Sequence, residues 1–379
     1  MEQRERRWDA STRRRFVAGT GALWAVSLAG CFGFPGDDTD DDETGESPIG
    51  QIGSGREGRE APGGVPMSEM PALEGDLTLY SGRGEFLVGY LIDYIDNLYD
   101  DFSISVKYGG STDLVNQIAN EGDGSSADVF YSVNAGALGA LSDEDRTASL
   151  PDDVLEMVRS EFRTDDWIGT SGRARTVPYN TDSYSESEML DDIMAYPDDF
   201  DGTLGWAPSY GSCQAFITAM RLLEGEDATR EWLEGMVESG AVSYPDEFAA
   251  CQGIADGEID AAFTNHYYIQ RVLDGNPEAP IATAFTRGDA GAIFNVAGAA
   301  VVDPTNDSEL AGNFIRHLLS AEAQDYFARS TFEYPLVPDV EPIGDLPTID
   351  ELDVPDIDLT QLSDLRPTID LMRDAGINF

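Results

Sequence analysis

Apolar and polar positions change their spacing several times along this chain. Residues 77–80 form a short apolar run of the kind found in strands, and after the glycine-bearing turn at 81–84 the apolar positions recur at helical spacing. Residues 104–108 and 127–131 have the same strand pattern, and an amphipathic helix capped by residues 111–113 lies between them. The folded part is therefore predicted to open as βαβαβ.

The same alternation continues through the rest of the chain. Short strands are predicted at 176–180, 204–207 and 259–263, and helices at 215–224, 229–238 and 310–328. This order predicts an α/β protein. The polar loops at 82–84, 209–212 and 267–268 each follow a strand, and ligands of open α/β sheets bind beyond the carboxyl ends of strands. We expect these loops to meet at one cleft.

The N-terminal region has the pattern of an export signal. Residues 11–17 are similar to a twin-arginine motif, residues 16–30 are apolar, and small residues precede Cys31 as in a lipobox. We expect Cys31 to be lipidated, the alternatives being a plain signal peptide and an uncleaved anchor. Residues 32–75 are rich in Gly, Pro, Asp and Glu and are predicted to be a disordered acidic linker.

The composition excludes one class of partner. Asp and Glu number 72 against 23 Lys and Arg, the formal net charge is −49, and Lys107 is the only lysine. Nucleic acid needs a basic surface that releases counterions, so it is not expected as a partner. Because the chain is also 41% hydrophobic, we interpret the acidity as that of a folded halophilic protein, since salt near 1 M screens charge within about 3 Å.

Two cysteines remain if Cys31 is lipidated. Cys213 and Cys251 are an even pair in an exported chain, so a disulfide is possible. Two buried free thiols are the equal alternative, because cysteine often packs as a small hydrophobic residue.

The adjacent residues Tyr267 and Tyr268 suggest metal chemistry. A highly charged bound cation can lower the phenol pKa from its usual value of about 10, and oxygen donors select hard ions, so a paired phenolate suits a hard trivalent metal. Packing of one ring inward and one on the surface is the alternative interpretation of such a pair.

Six motifs in order give the chain a family resemblance over residues 76–340. They are LYSGRGE at 79–85, ADVFY at 127–131, WIGTSGRAR at 167–175, WAPSYGS at 206–212, NHYY at 265–268 and EYPL at 333–336. With them the chain resembles the ferric-iron-binding solute receptors of ABC importers. The resemblance implies a bilobal, type II periplasmic-binding fold with Fe(III) as cargo.

The resemblance also implies a set of site residues. Tyr267 and Tyr268 correspond to the phenolate ligands, and Tyr210 to a third tyrosine ligand. A synergistic anion, carbonate or phosphate, is expected on Gly211, Ser212 and Asn265, with Arg83 as its positive partner.

The chain departs from the family at two ligand positions. Gly84 stands where many members have a histidine, and Val133 where many have a glutamate. Glu85 is a possible replacement, although an acidic residue is also common in the first turn of a helix. His266, His317, Arg173 and Arg175 are interpreted as structural, the two arginines through pairing with acidic residues.

The predicted protein is a monomeric, lipid-anchored receptor on the outer face of the cytoplasmic membrane that delivers Fe(III) to an ABC permease and catalyses nothing. Lobe 1 is expected at 76–175 and 298–345, lobe 2 at 176–297, and the segment 346–379 is expected to fold back on the lobes. Hinge strands are expected near Arg175 and Val296. The alternatives are a receptor for a polyamine, thiamine or an oxyanion, and an exported hydrolase, which the shortage of histidines disfavours.

Overall fold

The computed structural model describes residues 62–378. Within this range the strands are β1 (Gly75–Ser81), β2 (Phe102–Tyr108), β3 (Val129–Ser132), β4 (Thr147–Ala148), β5 (Ile168–Asn180), β6 (Leu204–Trp206), β7 (Val242–Ser243), β8 (Ala261–Ala262), β9 (Thr264–Asn265), β10 (Ile281–Ala284), β11 (Phe294–Val302) and β12 (Tyr334–Pro335). The predicted signal, including Cys31, and the first part of the predicted linker lie outside the described residues.

Helices pack around these strands. They are α1 (Glu85–Leu98), α2 (Ser111–Glu121), α3 (Ala135–Asp143), α4 (Asp152–Leu155), α5 (Tyr196–Asp199), α6 (Gly211–Leu223), α7 (Glu226–Glu238), α8 (Glu247–Ala255), α9 (His266–Gly275), α10 (Ser308–His317), α11 (Ala321–Tyr326) and α12 (Leu365–Asp374). Among these residues, no helix is both long enough and apolar enough to cross a bilayer.

The strand order confirms the predicted α/β class and the βαβαβ opening. The order is β2-β1-β3-β11-β5-β8-β6-β7, and β1 pairs in parallel with both β2 and β3. All four residues of the central strand β3 are buried, whereas burial alternates along the edge strand β2. This difference is the one expected between a strand covered on both faces and a strand at an edge.

Strand β5 connects the two groups of strands. Its first part pairs with β11 and β12, where Phe294 lies opposite Ala174, and its last part pairs with β8 and β10. Between them, Arg175 pairs with Asn265 of β9. The change of partners falls at the position where a hinge is predicted; the limits of the two lobes stay a prediction.

Several predicted boundaries differ in the structure, two of them for reasons that the contacts show. The helix expected at 310–328 is interrupted, because Ser320 accepts a hydrogen bond from the N–H of Ala323 at 3.1 Å and begins α11 as its N-cap. The end of the predicted linker is packed rather than free: Met67 and Leu73 are only 1% exposed, and the N–H of Met67 donates to Glu322 at 2.9 Å. Met67 and Leu73 have apolar side chains, so their burial against the folded chain is favourable.

The C-terminal residues pack onto two helices from different parts of the chain. The 3₁₀ helix Leu359–Ser363 lies against α3, where a Cβ at Gly136 or Gly139 would stand within 2.7 Å of Ser363 or Thr360. Helix α12 lies against α6, and the hydroxyls of Thr218 and Thr368 are 2.7 Å apart.

Candidate functional site

Two helix starts bring three tyrosines together. Tyr267 and Tyr268 lie in the first turn of α9, and Tyr210 is the N-cap residue of α6. The hydroxyls of Tyr210 and Tyr268 are 2.7 Å apart, and the ring centroids of Tyr267 and Tyr268 are 4.3 Å apart. The structure thus places the three predicted tyrosines in one cluster, although residue 210 is 58 positions from residue 268.

Burial opposes ionisation of two of these phenols. It raises the pKa of Tyr267, and burial together with the neighbouring Tyr267 and the hydrogen bond to Tyr210 raises the pKa of Tyr268. The guanidinium of Arg271 lies over both rings, 5.1 Å from the centroid of Tyr267 and 5.4 Å from that of Tyr268. A cation that binds the oxygens of Tyr267 and Tyr268 must therefore displace their protons.

The tyrosines open onto two adjoining cavities. The larger has a volume of about 410 Å³ and the smaller about 200 Å³, and both are lined by Val133, Arg173, Tyr210 and Tyr267. Tyr268 lines only the smaller one. Within the part of the chain that the structure describes, no group of three or more His, Cys, Asp or Glu side chains is arranged to hold a metal ion.

The residues predicted to hold an anion lie around the larger cavity. Gly211, Ser212 and Asn265 all line it, and Gly211 is the first residue of α6, the end of a helix at which free N–H groups favour an anion. The hydroxyl oxygen of Ser212 is buried and has no hydrogen-bond partner among the described residues. The amide nitrogen of Asn265 donates to the hydroxyl of Tyr267 at 3.3 Å.

Arg83 has a different partner from the expected anion. Its guanidinium is 1% exposed, forms an ion pair with Glu333 and donates to Ser171 at 2.7 Å. Although burial opposes the effect, the charge of Arg83 and then that of Arg173 hold the pKa of Glu333 below its usual value. Arg83 lines only the smaller cavity.

The structure does not bring Glu85 to the tyrosines. Glu85 is exposed in the first turn of α1 and lines neither of the two cavities, as expected for an acidic residue that favours a helix start. A Cβ at Gly84 would stand 2.5 Å from the ring of Phe86, so this ring occupies the space that a side chain at position 84 would need.

Arg175 is structural, as predicted. It is 1% exposed, its Nη1 donates to Glu247 at 2.5 Å, and its guanidinium also donates to the carbonyl of Phe263. The other carboxylate oxygen of Glu247 accepts the N–H of Asn265 at 3.0 Å. The ion pair therefore fixes the residue that begins α9.

Cys213 and Cys251 are not bonded to each other. Both thiols are free and buried, which makes the possible disulfide wrong and leaves the alternative of two packed thiols. Burial raises the pKa of each thiol to about 12. The two residues belong to different helices, α6 and α8, and both are influenced by the charges of Arg175 and Glu247.

Both histidines are packed inside the fold, which confirms their structural interpretation. The Nδ1 atom of His266 accepts the N–H of Ala174 at 3.2 Å, and burial lowers the pKa of His266 to about 4. His317 lies between the carbonyl of Asn313 and the hydroxyl of Tyr99, each 2.7 Å away.

Several residues of the site were missed by sequence reasoning. Arg173 was interpreted as one half of an ion pair, yet no acidic side chain lies within 4.0 Å of it among the described residues, and it lines both cavities. Glu333 belongs to a recognised motif but was given no role, and Leu359 and Leu362 were placed only in the C-terminal segment. These residues reach the site through contacts between distant parts of the chain, so no local sequence pattern identifies them as site residues.

Comparison with known proteins gives consistent matches over most of the chain. Residues 96–351 match the family described as bacterial extracellular solute-binding protein. The major ferric iron-binding protein of Neisseria meningitidis is 30% identical over 315 residues, 81% of this chain and 94% of that protein. The Fe(3+)-binding periplasmic protein of Serratia marcescens is 26% identical over 311 residues, 79% of this chain and 90% of that protein.

A solved structure extends the match to the fold. Iron-bound HitA from Pseudomonas aeruginosa is 27% identical and superimposes with a TM-score of 0.70, covering 80% of this chain and 99% of that chain. This similarity confirms the bilobal, type II periplasmic-binding fold that the sequence predicts.

Proposed function

Because the chain belongs to the ferric-iron-binding family of solute-binding proteins of ABC transporters, we propose that it captures Fe(III) outside the cell and delivers it to an ABC permease. Proteins of this family bind solutes and are not enzymes. The exported-hydrolase alternative is thereby set aside.

One observation carries the proposal: three phenol oxygens converge where two helices begin. The hydroxyls of Tyr210 and Tyr268 are already within hydrogen-bond distance, and the ring of Tyr267 lies 4.3 Å from that of Tyr268 at an interplanar angle of 49°. Three phenolates supply hard oxygen donors and together balance the charge of a ferric ion. Among the described residues no histidine lines either cavity, Gly84 and Val133 stand at the positions of the usual ligands, and Glu85 lies apart. Glu333 lines the smaller cavity, but its charge is paired with Arg83.

An anion completes the proposed site. Gly211, Ser212 and Asn265 supply hydrogen-bond donors from the larger cavity, and Arg173 supplies a positive charge beside them. Carbonate and phosphate are the anions that the family resemblance implies. Arg83 acts on this site indirectly in our proposal, because its charge is already paired with Glu333.

A polyamine or thiamine receptor fits the cavity less well. The larger cavity is lined by Arg173 and by no Asp or Glu among the described residues, so its one charged side chain repels an organic cation. An oxyanion receptor would use the same donors but gives the tyrosine cluster no role.

Capture of the ferric ion is proposed to involve a hinge motion of the two lobes. The proposed motion is closure of two lobes about β5 and β11. Lobe 1 comprises residues 76–175 and 298–345, and lobe 2 comprises residues 176–297.

Lipidation of Cys31 is proposed to hold the monomeric receptor on the outer face of the cytoplasmic membrane. We expect Cys31→Ser to move the protein from the membrane fraction to the medium; continued sedimentation with membranes would indicate an uncleaved anchor.

The direct test is ferric titration of the purified protein in concentrated salt. We expect one iron per chain by metal analysis and a visible absorption band from phenolate-to-iron charge transfer. Thiamine, spermidine and phosphate alone should produce no such band. Binding of one of these solutes without iron, together with a colourless ferric titration, would overturn the proposal.

A further inference from the structure

Two aromatic side chains of helix α1 are largely exposed to solvent. Phe86 is 83% exposed and Tyr90, one turn later, is 77% exposed, and no other large apolar side chain within residues 62–378 is more than half exposed. Such exposure is unfavourable, because burial of a phenylalanine ring removes apolar area from water. Phe86 lines the smaller cavity at the tyrosines, whereas Tyr90 lines neither cavity there.

The smaller cavity separates α1 from the start of α9. Phe86 and Leu87 line it from α1, and Tyr267, Tyr268 and Arg271 line it from α9. Of the two cavities, only the smaller one reaches Tyr268. A water molecule or a chelator that approaches Tyr268 through this cavity therefore passes Phe86.

The backbone on either side of Phe86 is held by residues of the proposed lobe 1. Arg83 is buried and forms an ion pair with Glu333. The carbonyl of Leu87 accepts a hydrogen bond from the hydroxyl of Tyr326 at 2.7 Å. Helix α9 belongs to the proposed lobe 2, so the smaller cavity lies between a fixed part of one lobe and the metal-binding helix of the other.

The ring of Phe86 lies against Gly84. A Cβ at Gly84 would stand 2.5 Å from this ring, although φ of −62° and ψ of 150° at Gly84 are values that any residue adopts. The ring, and not the backbone, therefore requires a glycine here. The ring points back toward the start of α1, as helical side chains do, and this direction places it on the wall of the cavity.

We propose that Phe86 closes the ferric site against solvent: when the two lobes close, its ring packs on the start of α9 and covers Tyr268. This inference rests on the proposed function, because it requires a ferric ion on the phenolates and closure of the lobes. Phe86 gives the metal no donor atom. Its role is to slow the loss of iron, because opening of the lobes must return the ring to water.

The test follows the removal of iron by a chelator. The full chain and each variant are loaded with ferric salt and bicarbonate in concentrated salt. Excess EDTA is added, and the decay of the charge-transfer band gives the rate constant of iron loss. Urea unfolding in the same salt measures the folding stability of each variant.

Two exposed rings of one helix give a matched comparison. Phe86→Ala removes the ring at the cavity, and Tyr90→Ala removes a similarly exposed ring outside both cavities. We expect iron loss to be at least about tenfold faster in Phe86→Ala alone, the factor that corresponds to burial of one phenylalanine ring. The band before addition of EDTA should be the same in both variants, since neither ring is a ligand.

A conservative variant and folding stability separate this role from a structural one. Phe86→Trp keeps a large aromatic ring and should lose iron at the wild-type rate. Phe86→Ala should not lower the free energy of unfolding, because the ring buries little surface in this structure.

The outcomes distinguish the inference from the proposed function. Equal rates of iron loss in wild type and Phe86→Ala, with the band intact, would overturn the inference and leave the proposed function standing. A similar acceleration in Tyr90→Ala, fast loss from Phe86→Trp, or lower folding stability of Phe86→Ala would overturn it as well. A wild-type protein that forms no coloured ferric complex would overturn the proposed function and this inference together.

Discussion

At the scale of single residues, the side-chain types were predictable but their partners were not. The adjacent Tyr267 and Tyr268 indicate metal chemistry from the sequence alone. Tyr210 required the family resemblance, because nothing local links it to residues 58 positions later. Arg83 was expected to meet an anion and instead meets Glu333, which lies 250 positions away. A pairing of that separation is decided by the tertiary fold.

Two arginines of the site should therefore behave differently on substitution. Arg173→Gln removes the charge that lines both cavities, so we expect anion-supported ferric binding to weaken by about 1.5–3 kcal/mol with unchanged folding stability. Arg83→Gln leaves the buried Glu333 without its partner and should lower the free energy of unfolding by about 3–5 kcal/mol. Ferric titration in bicarbonate and urea unfolding separate the two effects. If Arg83→Gln instead weakened ferric binding and Arg173→Gln lowered the free energy of unfolding, Arg83 would be the residue that binds the anion.

At the scale of secondary-structure elements, periodicity predicted the type of most segments and missed their ends. The βαβαβ opening is confirmed, while the helix expected at 310–328 is broken by the cap at Ser320. Strand β5 was predicted only at 176–180 and in fact begins at Ile168. Its first half is almost wholly buried, so it lacks the polar and apolar alternation from which half-buried strands are recognised.

The ion pair between β5 and α8 positions the element that carries the tyrosines. Glu247 binds both Arg175 and the N–H of Asn265, directly before α9. We expect Glu247→Gln to lower the free energy of unfolding by about 3–5 kcal/mol, because it leaves a buried guanidinium without its counter-charge.

The control for this change is an exposed ion pair of the same chain. Arg287 and Asp191 are 3.4 Å apart, and their side chains are 70% and 74% exposed. Asp191→Asn should change the free energy of unfolding by less than about 1 kcal/mol. Urea unfolding of both variants in concentrated salt measures the difference. Similar small losses for both would mean that the buried pair does not hold the site in place.

At the scale of the whole molecule, the charge is a property of the surface and not of the binding site. The chain carries −49, yet the larger cavity contains an arginine and no acidic residue within the described range. The overall composition thus predicts the solvent in which the protein is stable, and it says nothing about the ligand. The shape and lining of the cavity could not be predicted, because residues from six or more separate segments form it.

We expect the fold to depend on salt because of this charge. Below roughly 1 M salt, screening of the acidic surface weakens and self-repulsion favours the unfolded chain. The melting temperature, followed by circular dichroism, should fall steadily as salt is removed. A melting temperature that stays constant down to dilute buffer would contradict the halophilic interpretation.

The central claim is that phenolates hold the ferric ion, and the charge-transfer spectrum of tyrosine variants tests it most directly. Tyr267→Phe and Tyr268→Phe each remove one hydroxyl with little change in packing, and Tyr244→Phe is the control because Tyr244 bonds Glu258 and lines neither cavity. With equal ferric salt, wild type and Tyr244→Phe should show the full visible band, and each of the other two variants should lose the coloured complex while keeping its circular dichroism. Full ferric affinity and an undiminished band in either Tyr267→Phe or Tyr268→Phe would contradict the claim.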